Sequence, residues 1–214
     1  QSSPLPSHKN FGTLAKQPAM RQLRAPGNTC LSALRAGGQG TTATSINDSK
    51  GCGAAMRTAP IGFLSRSTEE VFRLACDAGA LTHGHVDGWV PGGIVAAVVR
   101  ELFAGVALRE AIKRGLDVAE RLLVAPKPAN LTPMNEGLRR SMRRRQNHAQ
   151  TIRSVGLGWI GDEAVGMGIY AALAGTTFKE VARIGANHDG DSDSTASIAG
   201  QLWGTWRGAC ALPN

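Results

Sequence analysis

Small residues recur at every fourth position near the end of the chain: Ala196, Gly200, Gly204 and Gly208. Residues four apart share one face of a helix, and a face without side-chain bulk lets a second helix approach closely. A strand would alternate its faces every two residues and gain nothing from such a stripe. Helical signals recur upstream. Ser67-Thr68-Glu69-Glu70 is a capping box, followed by apolar Val71, Leu74, Ala75 and Ala78 at 3–4 spacing. Thr177-Phe178-Lys179-Glu180 is a second box. The spacing predicts helices from residue 28 or 29 to 35, then over 67–81, 94–103, 109–123, 131–150, 162–173, from 177 onward, and over 194–209. A small-residue helix follows the Gly-bearing loop around residues 51–53. No segment shows strand alternation. The predicted fold class is all-α, a compact multi-helix bundle.

At 214 residues with 42% hydrophobic content, one domain with an ample core is expected; 27 glycines against five Phe and one Tyr suit closely packed elements. Residues 1–23 read as an extended lead-in and 24–214 as the domain. Gln1 is not an initiator residue, so the chain is expected to start partway into something longer. The longest apolar stretch, over residues 94–108, is interrupted by Arg100 and Glu101, which argues against a membrane span. The start Gln-Ser-Ser-Pro-Leu-Pro lacks the basic-then-apolar order of a signal peptide. Cys30, Cys52, Cys76 and Cys210 form no C-x-x-C pair, and a reduced cytoplasm is the expected compartment. The net charge of +8 is concentrated in Arg139, Arg140, Arg143, Arg144 and Arg145. No aromatic residue interleaves with them, so a solvated helix face or an anion-attracting lip is favoured over a nucleic-acid patch.

The polar residues that a helical core does not need lie in loops. Asn187-His188-Asp189-Gly190-Asp191-Ser192-Asp193-Ser194-Thr195 packs three carboxylates beside hydroxyls, directly before a helix. Two ionised carboxylates this close repel, and a hard divalent cation with oxygen ligands would remove the penalty. Helix capping uses the same residue types, so both readings stand on this segment alone. Arg24-Ala25-Pro26-Gly27-Asn28-Thr29 ends at a helix N-terminus, where backbone N–H groups suit an anion. Asn47-Asp48-Ser49-Lys50-Gly51-Cys52-Gly53 repeats the arrangement, with Lys50 and the glycine backbone able to meet a pyrophosphate; Met56 reads as core. Leu81-Thr82-His83-Gly84-His85 places two histidines two apart, a spacing that suits donors to a ligand better than zinc. His8 and His148 read as surface residues.

Five words in order, RAPGNTCLSAL (24–34), NDSKGCGAAMRTAPIG (47–62), LTHGH (81–85), GLGWIGDEAVGMGIYAAL (156–173) and NHDGDSDSTASIAG (187–200), resemble the ADP-ribosylglycohydrolase family. The resemblance implies an all-α bundle around a two-metal centre, usually Mg²⁺ and in some members Mn²⁺. It implies that Asp191, Asp193 and Ser194 are metal ligands, with Ser in a slot where Thr is commoner. It implies that Gly27 and Asn28 lie in a pyrophosphate-contacting loop. Ser49, Lys50, Gly51 and Cys52 would wrap the adenosine side of ADP-ribose, His83 would contact the ligand, and Trp159 and Ile160 would line the pocket.

The family's other metal word, Thr-Asp-Asp-Thr after a Gly-Asp-Ala-rich loop bearing an acidic residue, is absent; Asp48 is the first Asp here. The chain therefore resembles the C-terminal portion of the family domain, no catalytic residue is assigned, and weak or absent activity is expected of it alone. The implied reaction is Mg²⁺-assisted hydrolysis of the bond between ADP-ribose and a protein side chain, with arginine as the expected target. The alternatives are a non-catalytic ADP-ribose or nucleotide-binding module and, behind it, a nucleic-acid or partner-binding helical domain.

Overall fold

The computed structural model describes residues 17–21, 26–37, 39–122, 129–142 and 147–213. Among them are ten α-helices and no strand. The helices are α1 (Asn28–Arg35), α2 (Gly53–Arg57), α3 (Thr68–Ala80), α4 (Val86–Phe103), α5 (Leu108–Leu122), α6 (Thr132–Arg140), α7 (His148–Arg153), α8 (Gly161–Ala174), α9 (Phe178–Ala186) and α10 (Ser192–Arg207). The all-α expectation holds. Of the lead-in, residues 17–21 are described, and Pro18–Arg21 winds into a 3-10 turn where extended chain was expected.

Two helices organise the rest. Helix α4 is buried almost end to end, from Asp87 to Val99, and α8 is buried from Gly161 to Asp162 and from Ala164 to Ala172. A helix apolar on all sides belongs at the centre of a bundle. Around them pack α3 and α5 against α4, α6 against α8, and α10 against both α8 and α9. Ile94, Ile112, Met134, Ile152, Met167, Ile169, Tyr170, Ile198 and Leu202 are fully enclosed. The α6–α8 contact is made by backbone: a Cβ on Gly137 would stand 2.0 Å from the Gly166 carbonyl oxygen. Helix α5 is amphipathic, burying Leu108, Ala111, Ile112, Gly115, Leu116, Val118 and Ala119 at helical spacing.

Several boundaries differ from the sequence expectation. Helix α4 starts at Val86 rather than at 94, running through Pro91, Gly92 and Gly93. The basic stretch 131–150 is two helices, α6 and α7, with Asn147 capping the second by accepting from the Gln150 N–H. Leu74, expected on the core face of α3, is 41% exposed; Val71, Phe72, Ala75, Cys76, Gly79 and Ala80 form that face instead. His148 is not simply a surface residue, since its Nδ1 lies 2.8 Å from the hydroxyl of buried Tyr170. His8 lies outside the described residues. In the C-terminal stripe, Ala196 meets Gly185 of α9 and Gly200 meets Phe178, while Gly204 and Gly208 face open space.

Candidate functional site

The three loops that precede α2, α8 and α10 converge, and backbone bonds stitch them together. Gly51 and Ile160 form an antiparallel bridge, and the Gly161 N–H donates to the Lys50 carbonyl at 2.8 Å. The Asp191 N–H donates to the Leu157 carbonyl at 2.8 Å. Such contacts require missing side chains. A Cβ on Gly190 would lie 1.8 Å from the Leu157 oxygen, and Gly158 takes φ +81° beside Thr195. Glu163 fixes the middle loop by accepting the Leu157 and Gly158 N–H groups on one oxygen, at 2.9 and 3.1 Å.

Asp191 holds the N-cap position of α10, yet its side chain makes no capping bond to the helix backbone. Its Oδ2 instead accepts from Cys52 Sγ at 2.9 Å and from Ser194 Oγ at 3.0 Å. Burial pushes the Asp191 carboxyl up, but hydrogen bonding with Asp193, Cys52 and Ser194 outweighs it and the net shift is downward. Asp193, exposed at the rim, moves the other way, through its hydrogen bond to Asp191 and then through burial. The two carboxyls thus shift in opposite directions, as close like charges do. Cys52 stays a neutral thiol, raised to about 12 by burial first and then by its bond to Asp191.

The donor chemistry of Asp191, Asp193 and Ser194 fits the edge of a hard-cation shell, and the repelling carboxylate pair is the charge deficit that a cation relieves. Among the described residues no cluster of three or more His, Cys, Asp and Glu side chains is arranged to hold a metal ion.

Around this pair stand the other predicted residues. Thr29 Oγ1 lies 2.9 Å from Ser49 Oγ and ties the first turn of α1 to the 49–53 loop. Gly27 and Asn28 at that helix start are exposed, with no side-chain cap on the backbone; Arg24 and Ala25 lie outside the described residues. Trp159 projects from the middle loop with 61% of its surface exposed, and half-buried Ile160 anchors it. Met56, read as core, is only half-buried and meets Ser194 Oγ at 3.0 Å.

His83 is placed differently from the expectation of a ligand contact. It is 1% exposed, beneath the glycines of the 49–53 loop: a Cβ on Gly53 would stand 3.3 Å from its Nε2. Its Nδ1 meets Thr82 Oγ1 at 2.8 Å, and Arg57 donates to that hydroxyl, also at 2.8 Å. Burial, then the Arg57 charge, lowers its titration to about 4, so the imidazole is neutral and supports the loop.

Sequence reasoning missed four residues that build the site. Asn47 Oδ1 accepts from the Ser49 and Gly84 N–H groups, and its Nδ2 donates to the Thr82 carbonyl, joining two loops. Glu163 and Asp87 lie inside or beside the quoted words, where a carboxylate at a helix start passes for a cap. Asn130 carries no motif at all. The basic cluster is only partly described: Arg139 and Arg140 both pair with Glu136, and Arg143, Arg144 and Arg145 lie outside the described residues.

The model of the ADP-ribosylglycohydrolase family matches residues 7–214. No curated protein matches the chain. No helix among the described residues is long and apolar enough to cross a membrane.

Proposed function

The chain belongs to the ADP-ribosylglycohydrolase family, and from that premise we propose that it hydrolyses the glycosidic bond joining ADP-ribose to a protein side chain, arginine first. The observation that carries this reading is the Asp191–Asp193–Ser194 cluster, in which the Asp191 side chain makes no capping bond and accepts from Ser194 instead, where three backbone-stitched loops meet. Asp191, Asp193 and Ser194 would hold Mg²⁺, or Mn²⁺ in its place. When bound, the metal supplies Lewis-acid polarisation and orientation of ligand oxygens.

The residues around it bind and orient. Backbone N–H groups at Gly27 and Asn28 and the Lys50 ammonium suit a pyrophosphate, while Gly51, whose N–H donates to Ser49 Oγ at 3.2 Å, permits close approach. Ser49 and Cys52 wall the ligand, and the exposed face of Trp159 offers a platform for a base. His83 acts from below, holding Gly51 and Gly53 in place. Bond cleavage passes through an oxocarbenium-like state, for which carboxylate acid/base help is expected; none of the residues above is assigned that role. Four free cysteines and the lack of a bridging pair among them fit a reducing compartment, and we place the protein in the cytoplasm.

A second reading, ADP-ribose binding without hydrolysis, is favoured by one observation: among the described residues no three or more His, Cys, Asp and Glu side chains group to hold a metal ion. Calorimetry with ADP-ribose, with and without Mg²⁺, and an assay of ADP-ribose release from modified arginine separate the two. Hydrolysis requires metal-enhanced binding that Asp191→Asn abolishes, with weak turnover by residues 1–214. Tight metal-independent binding without release would establish the binding module, and no binding at all would sink both readings.

A further inference from the structure

Behind the 49–53 loop lies a polar chain, buried at Asp87 and Asp162 and exposed at Lys50 and Asn130, that the cation-binding cluster does not use. Lys50 Nζ is 3.1 Å from Asp87 Oδ2, the lysine side chain 43% exposed and the aspartate 9%. Asp87 Oδ1 accepts the Asn130 N–H at 2.8 Å, and Asn130 Nδ2 donates to Asp162 Oδ2 at 2.7 Å. The other Asp162 oxygen is buried without a partner among the described residues. Burial, and then the charge of Asp87, pushes the Asp162 carboxyl up. Asp87 is the member that faces Lys50. His85 Nδ1 accepts the Asp87 N–H at 3.0 Å and lies 3.4 Å from Asp87 Oδ2.

A half-exposed lysine would ordinarily sample many rotamers, and immobilising it on binding costs affinity. Here both ends are held: the main chain by Gly161 and the ammonium by Asp87. An ammonium carries three donors, so it can keep Asp87 and still meet an anion. We propose that Asp87 and Asn130 are positioning residues that hold the Lys50 ammonium ready for the pyrophosphate of the ligand. Asp87 aims the ammonium; the Asn130 main-chain N–H aims Asp87 from the segment before α6, and the Asn130 side chain, which Asn130→Ala removes, pins that segment to Asp162. This rests on the reading of the cleft as an ADP-ribose site. A mere latch between loops would affect every ligand of the cleft alike, whereas a positioned ammonium affects only anionic ones.

The test compares wild type with Lys50→Met, Asp87→Asn and Asn130→Ala. Binding of ADP-ribose, adenosine and inorganic pyrophosphate is measured by calorimetry. Acylation of Lys50 by an N-hydroxysuccinimide ester is mapped by mass spectrometry, with Lys113 and Lys179 as internal controls of folding. Asp87→Asn should weaken ADP-ribose binding about fivefold and Asn130→Ala about threefold, the gain from an immobilised side chain, with adenosine unchanged. Lys50 should acylate faster in Asp87→Asn, and pyrophosphate should protect it in wild type. Should Asp87→Asn fail to fold, the Asn130→Ala affinities carry the same prediction. An unchanged or tightened affinity for ADP-ribose, an equal loss for adenosine, or no protection of Lys50 by either phosphate ligand would overturn the proposal. Protection by pyrophosphate without any ADP-ribose binding would support the role of Lys50 and refute the ADP-ribose reading.

Discussion

At Gly190 there is no space for a methyl group, because a Cβ would lie 1.8 Å from the Leu157 carbonyl oxygen. That carbonyl accepts the Asp191 N–H, so relieving the clash means moving the carboxylate cluster. Gly190→Ala should cost about 2 kcal/mol or more, as forced shifts in packed regions do, and abolish metal-enhanced ligand binding; urea titration and calorimetry read the two effects. His83 leads to a pH dependence. Its folded form titrates near 4 and its unfolded form near 6.5, so between those values the unfolded chain takes up a proton that the folded chain refuses. Its contribution to stability is full above about pH 6.5 and is lost as the pH falls toward 4. The loss should be about 3 kcal/mol by pH 4. In urea titrations between pH 7 and 4.5, His83→Gln should show a flatter decline than wild type; parallel declines would refute the assignment.

Individual helices show which signals are readable in a sequence. The box at Ser67 closes reciprocally: Ser67 N–H donates to Glu70 Oε2 at 3.0 Å and Glu70 N–H to Ser67 Oγ at 3.3 Å. Ser67→Ala should therefore lower stability by about 1 kcal/mol, visible as a drop in Tm with ligand affinity unchanged. The second box is only half made. Glu180 N–H reaches Thr177 Oγ1, but the Glu180 carboxylate turns to Thr176. Caps are local chemistry and therefore legible. The start of α4 was not, because Pro91 and two glycines look like a break, and only tertiary contact reveals that Pro91 packs against Gly161. Leu74 misled for the same reason: two adjacent stripes fit the 3–4 spacing, and which one faces α4 depends on a neighbour that the sequence does not display.

For the molecule as a whole, the site words were legible because glycines, carboxylates and hydroxyls in loops have no use in a helical core. Their assembly was less so. Asn130 joins Asp87 to Asp162 across 32 to 43 positions of chain, and no local pattern records such a bridge. Assembly also predicts a global response. A ligand that binds only the folded cleft stabilises it by about 2.7 kcal/mol at a hundred times its Kd, which for a domain of this size raises Tm by about 5–10 °C. ADP-ribose with Mg²⁺ should produce that rise in a thermal melt, with a much smaller rise from either alone; equal shifts with and without the metal would count against a shared site. The stitching of the three loops by main-chain bonds has an evolutionary consequence as well. Where peptide groups set a cleft's contour, the side chains lining it are free to drift. In a deep mutational scan, Ser49 and Trp159 should accept many replacements that retune ligand choice, while Gly84, Gly158 and Gly190 accept almost none. Such a cleft can acquire new specificities without being refolded, which makes it raw material for diversification.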